Sequence, residues 1–126
     1  MYNILIVDDN EDMMSVFESY LHHHGEYFIE KSYNAVESYQ KCHDIRESGE
    51  GGLDLIIMDI NLPDVNGFDA ARKIREDNPE IPFLFITAYE SPEIKAEYDT
   101  FKNATILEKP INYKEFCNAL ATYLNQ

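Results

Sequence analysis

Five short apolar runs punctuate the chain, and helical patterns fill the intervals between and after them. Ile4-Leu5-Ile6-Val7, Tyr27-Phe28-Ile29, Leu55-Ile56-Ile57-Met58, Phe83-Leu84-Phe85-Ile86 and Thr105-Ile106-Leu107 read as strands. Met13, Val16, Phe17, Tyr20 and Leu21 recur at helical spacing, and Gly25 reads as the stop. Ala35, Val36, Tyr39 and Cys42 make a weaker second stripe. Phe68, Ala71 and Ile74 make a third, ended before Pro79. Ile94, Tyr98 and Phe101 make a fourth, opening at Ser91-Pro92 as an N-cap followed by proline. Phe116, Leu120, Tyr123 and Leu124 make a fifth that is expected to run almost to Gln126. The segment Glu47-Ser48-Gly49-Glu50-Gly51-Gly52 reads as a loop.

Most of these connections are too long and too helical to be hairpins. Repeated strand-helix units imply a parallel sheet covered on both faces, so the fold class is α/β. The third and fourth runs agree, because they are continuously apolar, as strands buried on both faces should be. No repeat, linker or low-complexity tail interrupts the pattern. Residues 1–126 are expected to form one domain, with no room for an output domain.

The polar residues at the strand ends change the picture. Asp8-Asp9, Asp59, Thr87 and Lys109 stand at or just past the ends of four apolar runs. In an open α/β sheet the crevice at the carboxyl ends of the strands is where ligands bind. Two carboxylates about 4 Å apart repel by about 4 kcal/mol at an effective dielectric of 20. Protonation, a lysine or a divalent cation must offset that. Hard carboxylate oxygens select Mg²⁺, Mn²⁺ or Ca²⁺, and the absence of a caging loop favours Mg²⁺, with Mn²⁺ as a substitute. An ammonium and a hydroxyl facing that cation can hold the oxygens of a phosphoryl group. Asp59 is then the candidate nucleophile, forming an aspartyl phosphate.

Composition narrows the classes. A hydrophobic fraction of 44% over 126 residues fits one domain with a real core. No apolar run approaches a membrane span, and without a basic segment followed by a long apolar stretch no signal peptide is expected. The formal charge of −14 disfavours nucleic acid and suits protein partners with basic faces, or only keeps the chain in solution. Cys42 and Cys117 are far apart and are expected to be buried free thiols. His22-His23-His24 lies near a helix end, where consecutive residues face different ways, so it is not expected to bind metal. One of Met13 and Met14 is expected in the core and the other beside the acids, exposed.

At these residues the chain resembles the response-regulator receiver domain of two-component signalling. The matching pieces are Ile4-Leu5-Ile6-Val7-Asp8-Asp9, Met58-Asp59-Ile60-Asn61-Leu62-Pro63, Gly67, Phe85-Ile86-Thr87-Ala88 and Lys109-Pro110-Ile111. The resemblance implies a flavodoxin-like five-stranded parallel sheet in order 2-1-3-4-5, with five helices on both faces. It implies Asp59 as phosphoacceptor, Asp9 as a direct Mg²⁺ ligand, Asp8 acting through metal-bound water, and the Asn61 backbone carbonyl as a further ligand. Thr87 and Lys109 match the groups that contact the phosphoryl oxygens, and the Lys109–Pro110 bond is expected to be cis. The implied donors are a sensor histidine kinase or a histidine phosphotransfer protein, and the implied output is binding to a downstream protein or onward phosphotransfer. A cytoplasmic monomer or weak dimer is expected, a phosphoacceptor with at most slow self-dephosphorylation rather than a turnover enzyme.

Some positions depart from the family pattern. Ile106 stands where many receivers carry a Tyr or Phe that swings inward; it reads instead as a packed strand residue. Tyr89 is either a ring shielding the acyl phosphate or an exposed loop tyrosine. Asn103-Ala104 replaces a common Gly-Ala pair, and asparagine tolerates the left-handed turn. The loop at Gly49–Gly52 lies at the end of the sheet away from the acids. Rival readings fit these residues less well. An unphosphorylated pseudo-receiver would not need Asp8, Asp9, Asp59, Thr87 and Lys109 together. An aspartate-nucleophile phosphohydrolase of the haloacid-dehalogenase type needs a second Asp two positions after the nucleophile, where Asn61 cannot transfer protons. A flavodoxin would carry a Ser/Thr-rich phosphate loop where Asp8-Asp9 stands.

Overall fold

The computed structural model describes residues 1–49 and 51–124. Strands and helices alternate strictly: β1 Tyr2–Val7, α1 Glu11–His24, β2 Tyr27–Ser32, α2 Ala35–Glu47, β3 Leu55–Asp59, α3 Gly67–Asp77, β4 Phe83–Thr87, α4 Pro92–Tyr98, β5 Ala104–Glu108 and α5 Tyr113–Tyr123. The five strands are parallel, in the order β2-β1-β3-β4-β5. Fold class and strand order are those expected. Glu50, within the expected loop, and Gln126, near the expected end of the last helix, lie outside the described residues.

Side-chain alternation along the central strands builds two cores. Ile4, Ile6, Leu55, Ile57, Leu84 and Ile86 pack with Phe17 and Leu21 of α1 and Phe116 and Leu120 of α5. Leu5, Val7, Ile56, Met58, Phe83 and Phe85 pack with Ala35 and Cys42 of α2 and Phe68, Ala71 and Ile74 of α3. Burial on both faces is the physical reason that β1, β3 and β4 read as unbroken apolar runs. Among the described residues no helix is long and apolar enough to cross a membrane.

Register places the site. Val7 pairs with Met58, Asp59 with Ile86 and Thr87 with Glu108. The polar residues that end these strands therefore arrive at one edge of the sheet. Gly67 closes that edge from below, donating its N–H to Ile60 O at 2.9 Å. A Cβ at this position would run into the Asp59 carbonyl and the Ile60 Cα, so only glycine fits. The Lys109–Pro110 bond is cis and Asn103 takes φ 53°, both as expected.

Three sequence expectations shift. Val36 is 63% exposed, and the buried stripe of α2 runs through Ala35, Ser38 and Cys42 instead. Val36 follows the buried Ala35 and so lies about 100° around the helix from it, on the solvent side. Phe101 lies beyond α4, where tight turns through Thr100 and Phe101 end the helix. Its ring packs on Phe68 and Phe85 at centroid distances of 5.7 and 5.0 Å, beneath the Arg72 and Arg75 guanidiniums. Cys117 is half-buried rather than buried, lying one turn along α5 from Tyr113, with which it interacts.

The close approach at Gly67 gives a direct test. Gly67→Ala is expected to destabilise the domain by about 3 kcal/mol, lowering the thermal midpoint by on the order of 10 °C in a far-UV circular dichroism melt. An unchanged midpoint would contradict the packing described.

Candidate functional site

The site is assembled from four strand ends and the loops that leave them. Asp8 follows β1 and is fully buried; its backbone N–H continues the ladder to Ser32 O at 3.1 Å. Asp59 is the last residue of β3 and is 3% exposed. Asp9 is exposed at the rim. One carboxylate oxygen from each of Asp8, Asp9 and Asp59 lies within 4.8 Å of the others. The structure thus brings together the three acids that the strand-end pattern singled out.

Their hydrogen bonds are uneven. Asp59 Oδ1 accepts from the Asn61 N–H at 2.9 Å, and Asp59 Oδ2 lies 3.4 Å from Lys109 Nζ. Asp8 Oδ1 accepts from the Asn10 N–H at 2.9 Å. Asp8 Oδ2 is buried and has no hydrogen-bond partner. Burial pushes the Asp8 carboxyl up to about 6, and the neighbouring Asp59 carboxylate adds to the rise against the opposing pull of the Asn10 N–H and Lys109. One ammonium therefore stands against three acids, with one buried oxygen left over. That donor set fits a hard divalent cation such as Mg²⁺.

Thr87 ends β4 and is buried, and the Lys109 N–H donates to its carbonyl at 2.8 Å. Its hydroxyl donates to Tyr89 O at 2.7 Å, so in this structure it is engaged within its own loop. Tyr89 is 64% exposed, which matches the exposed-loop alternative. Asn61 is exposed, and Ile106 is half-buried against the phenylalanine core of β4. Met14 is buried as expected of one of the pair, whereas Met13 is half-buried against the same core rather than exposed.

The histidine tract does not join the site. His23 sits edge-on to Tyr113 and His24 Nδ1 pairs with Tyr27 OH at 2.6 Å. Among the described residues the acid trio is the one grouping of His, Cys, Asp and Glu with metal-ligand spacing.

One site residue, Asn10, and one acid of the loop beside the site, Asp64, escaped the sequence reading. Asn10 both donates to Asp8 and caps α1 by accepting from the Met13 N–H at 2.9 Å; an asparagine before an acidic first turn was the available signal. Asp64 reaches α2 from the loop after β3. No local signal announces a bond that spans 29 positions.

Comparison with known proteins agrees with the geometry. The family model described as response regulator receiver domain matches residues 4–121. The response regulator receiver protein CpdR of Brucella abortus is 25% identical over 124 residues, covering 98% of this chain and 98% of CpdR. The autoinducer 1 sensor kinase/phosphatase LuxN of Vibrio campbellii is 31% identical over 125 residues; the match covers 98% of this chain but spans only 14% of LuxN. Among solved structures, the chemotaxis protein CheY4 of Vibrio cholerae superposes with a TM-score of 0.85 at 28% identity, covering 98% of this chain and 99% of that one.

The orphaned Asp8 oxygen predicts a pH signature. With a folded pKa raised toward 6, Asp8 carries the extra proton only in the folded state between about pH 4 and 6. Stability from this group is full below its unfolded pKa and is lost as pH rises through the folded one. In metal-free buffer Asp8→Asn should therefore stabilise the protein by about 3 kcal/mol at pH 7.5 and by little at pH 4, read from urea unfolding at the two pH values. Equal or negative effects at pH 7.5 would contradict an uncompensated buried charge.

Proposed function

The chain belongs to the response regulator receiver domain family of two-component signalling, and on that premise we propose that Asp59 accepts a phosphoryl group in a Mg²⁺-dependent reaction. The observation that carries this reading is the buried Asp8–Asp59 pair with its unpartnered oxygen. A carboxylate cluster short of positive charge is costly alone and becomes favourable when a cation and a phosphoryl group arrive together.

Asp8, Asp9, Asp59 and the Asn61 carbonyl would hold the cation. When bound, Mg²⁺ supplies positive charge for the phosphoryl oxygens during transfer. The protein's own groups do the positioning. The Asn61 N–H on Oδ1 and Lys109 on Oδ2 fix the plane of the Asp59 carboxylate. An Asp59 oxygen forms the new bond to phosphorus, and the donor atom leaves with the electron pair of the bond that breaks. Lys109 Nζ, half-buried beside Asp59, is placed to follow the phosphoryl charge, and the Thr87 hydroxyl can exchange the Tyr89 carbonyl for a phosphoryl oxygen. Asn61 cannot take a proton from an attacking water, so the acyl phosphate persists rather than turning over rapidly. The donor in this reading is a histidine kinase or a histidine phosphotransfer protein, and the product is an altered surface for a protein target or a relay of the phosphoryl group.

Incubation with acetyl phosphate followed by intact mass measurement tests the proposal. Wild type is expected to gain one phosphoryl group with Mg²⁺ and none with excess EDTA, and Asp59→Asn is expected to gain none in either. Equal uptake by Asp59→Asn, or none by wild type with Mg²⁺, would overturn it.

A further inference from the structure

We infer that Asp64 is a positioning residue for the phosphoacceptor site, strapping the loop that carries Asn61 to the first turn of α2. The inference rests on the roles of Asp59 and Asn61 proposed above. Asp64 Oδ1 accepts from the Ala35 N–H at 2.9 Å and from the Val65 N–H at 3.0 Å, and Oδ2 accepts from the Val36 N–H at 3.1 Å. Ala35 and Val36 are the first two residues of α2, whose amides have no partner within the helix. Burial pushes the Asp64 carboxyl up, but the surrounding N–H groups outweigh it and hold it below the ordinary carboxylate range.

The loop between is short and closed. Its base is tied by the Gly67 N–H to Ile60 O and by an antiparallel bridge between Asn61 and Asn66. Its inner end is fixed to Asp59 Oδ1 by the Asn61 N–H. Its outer end is fixed to α2 by Asp64. Asn61 itself is exposed, and among the described residues its anchors are the backbone bonds to Asp59 and Asn66. Release of the outer anchor frees the loop to move the Asn61 carbonyl away from the carboxylates, and supporting residues of this kind are worth about 10-fold to 100-fold in metal affinity.

A purely structural role as a helix cap is separable, because α2 has a second cap. Asn34 Oδ1 accepts from the Glu37 N–H at 2.8 Å and lies in the β2–α2 turn, outside the Asn61 loop. Asn34→Ala therefore weakens the same helix end and leaves the strap intact.

The test is a titration of the full chain with Mg²⁺ alone, followed on the backbone amide resonances of Asp59, Ile60 and Asn61, whose dispersion also reports that each variant is folded. Asp64→Ala is expected to bind Mg²⁺ about tenfold more weakly than wild type. Asp64→Asn, which keeps one acceptor oxygen, is expected to fall between them, and Asn34→Ala to match wild type while melting at a lower temperature. Wild-type affinity in Asp64→Ala, or an equal loss in Asn34→Ala, would overturn the positioning role. A wild type with no saturable response would instead overturn the proposed cation site, and this inference with it.

Discussion

Two carboxylates buried side by side, Asp8 and Asp59, are the constraint around which the molecule is arranged. A folded chain meets such a cost only when something else is gained, and here each neighbouring element supplies a partial remedy. Lys109 brings one positive charge to Asp59, while Asn10 and Asn61 each turn a backbone N–H onto a carboxylate oxygen. None reaches Asp8 Oδ2. The remaining imbalance points to a cation, and the oxygen-only donor set points to a hard one. Strand register is what makes the cluster unavoidable: the pairing of β1 with β3 and of β3 with β4 brings the residues after Val7 and Met58 to one edge.

Much of this was legible in the sequence, for a physical reason. In a parallel sheet covered on both sides the central strands have no solvent face, so β1, β3 and β4 appear as unbroken apolar runs with polar residues where they end. The helices were harder. Their stripes stand out in the sequence, but spacing misplaces the rotation of α2 at Val36 and assigns Phe101 to α4, although it packs from the following turn. Four asparagine caps, Asn10, Asn34, Asn66 and Asn112, accept from amides two or three residues ahead, yet only the Ser91 cap is evident from sequence. Asparagine is common in loops, so its capping role shows only once the helix start is known. Asp64 lay beyond local reading altogether, because its partners are brought to it by the sheet.

Ile106, a departure from the family pattern, lies away from the acid cluster on β5. Ile106 lies half-buried on the edge strand β5 against the aromatic core and has no hydroxyl to exchange with solvent. α4 is seven residues long and buries no side chain fully. A chain of hydrogen bonds also leaves the acid cluster the other way, through the Asn61 loop and Asp64 to α2. A site whose loop is tied to α2 can pass a local electrostatic change to that helix without an aromatic switch on β5, provided the loop has two arrangements that the bound groups distinguish. The region that matches this chain is nearly the whole of CpdR and a small part of LuxN.

The most direct measurement is the thermal midpoint of metal-free protein against Mg²⁺ concentration at pH 7.5. A buried acid cluster held for a cation requires the wild-type midpoint to climb with Mg²⁺ by mass action, and the climb to shrink sharply in both Asp8→Asn and Asp9→Asn. A flat wild-type curve, or an equal rise in all three proteins, would contradict it.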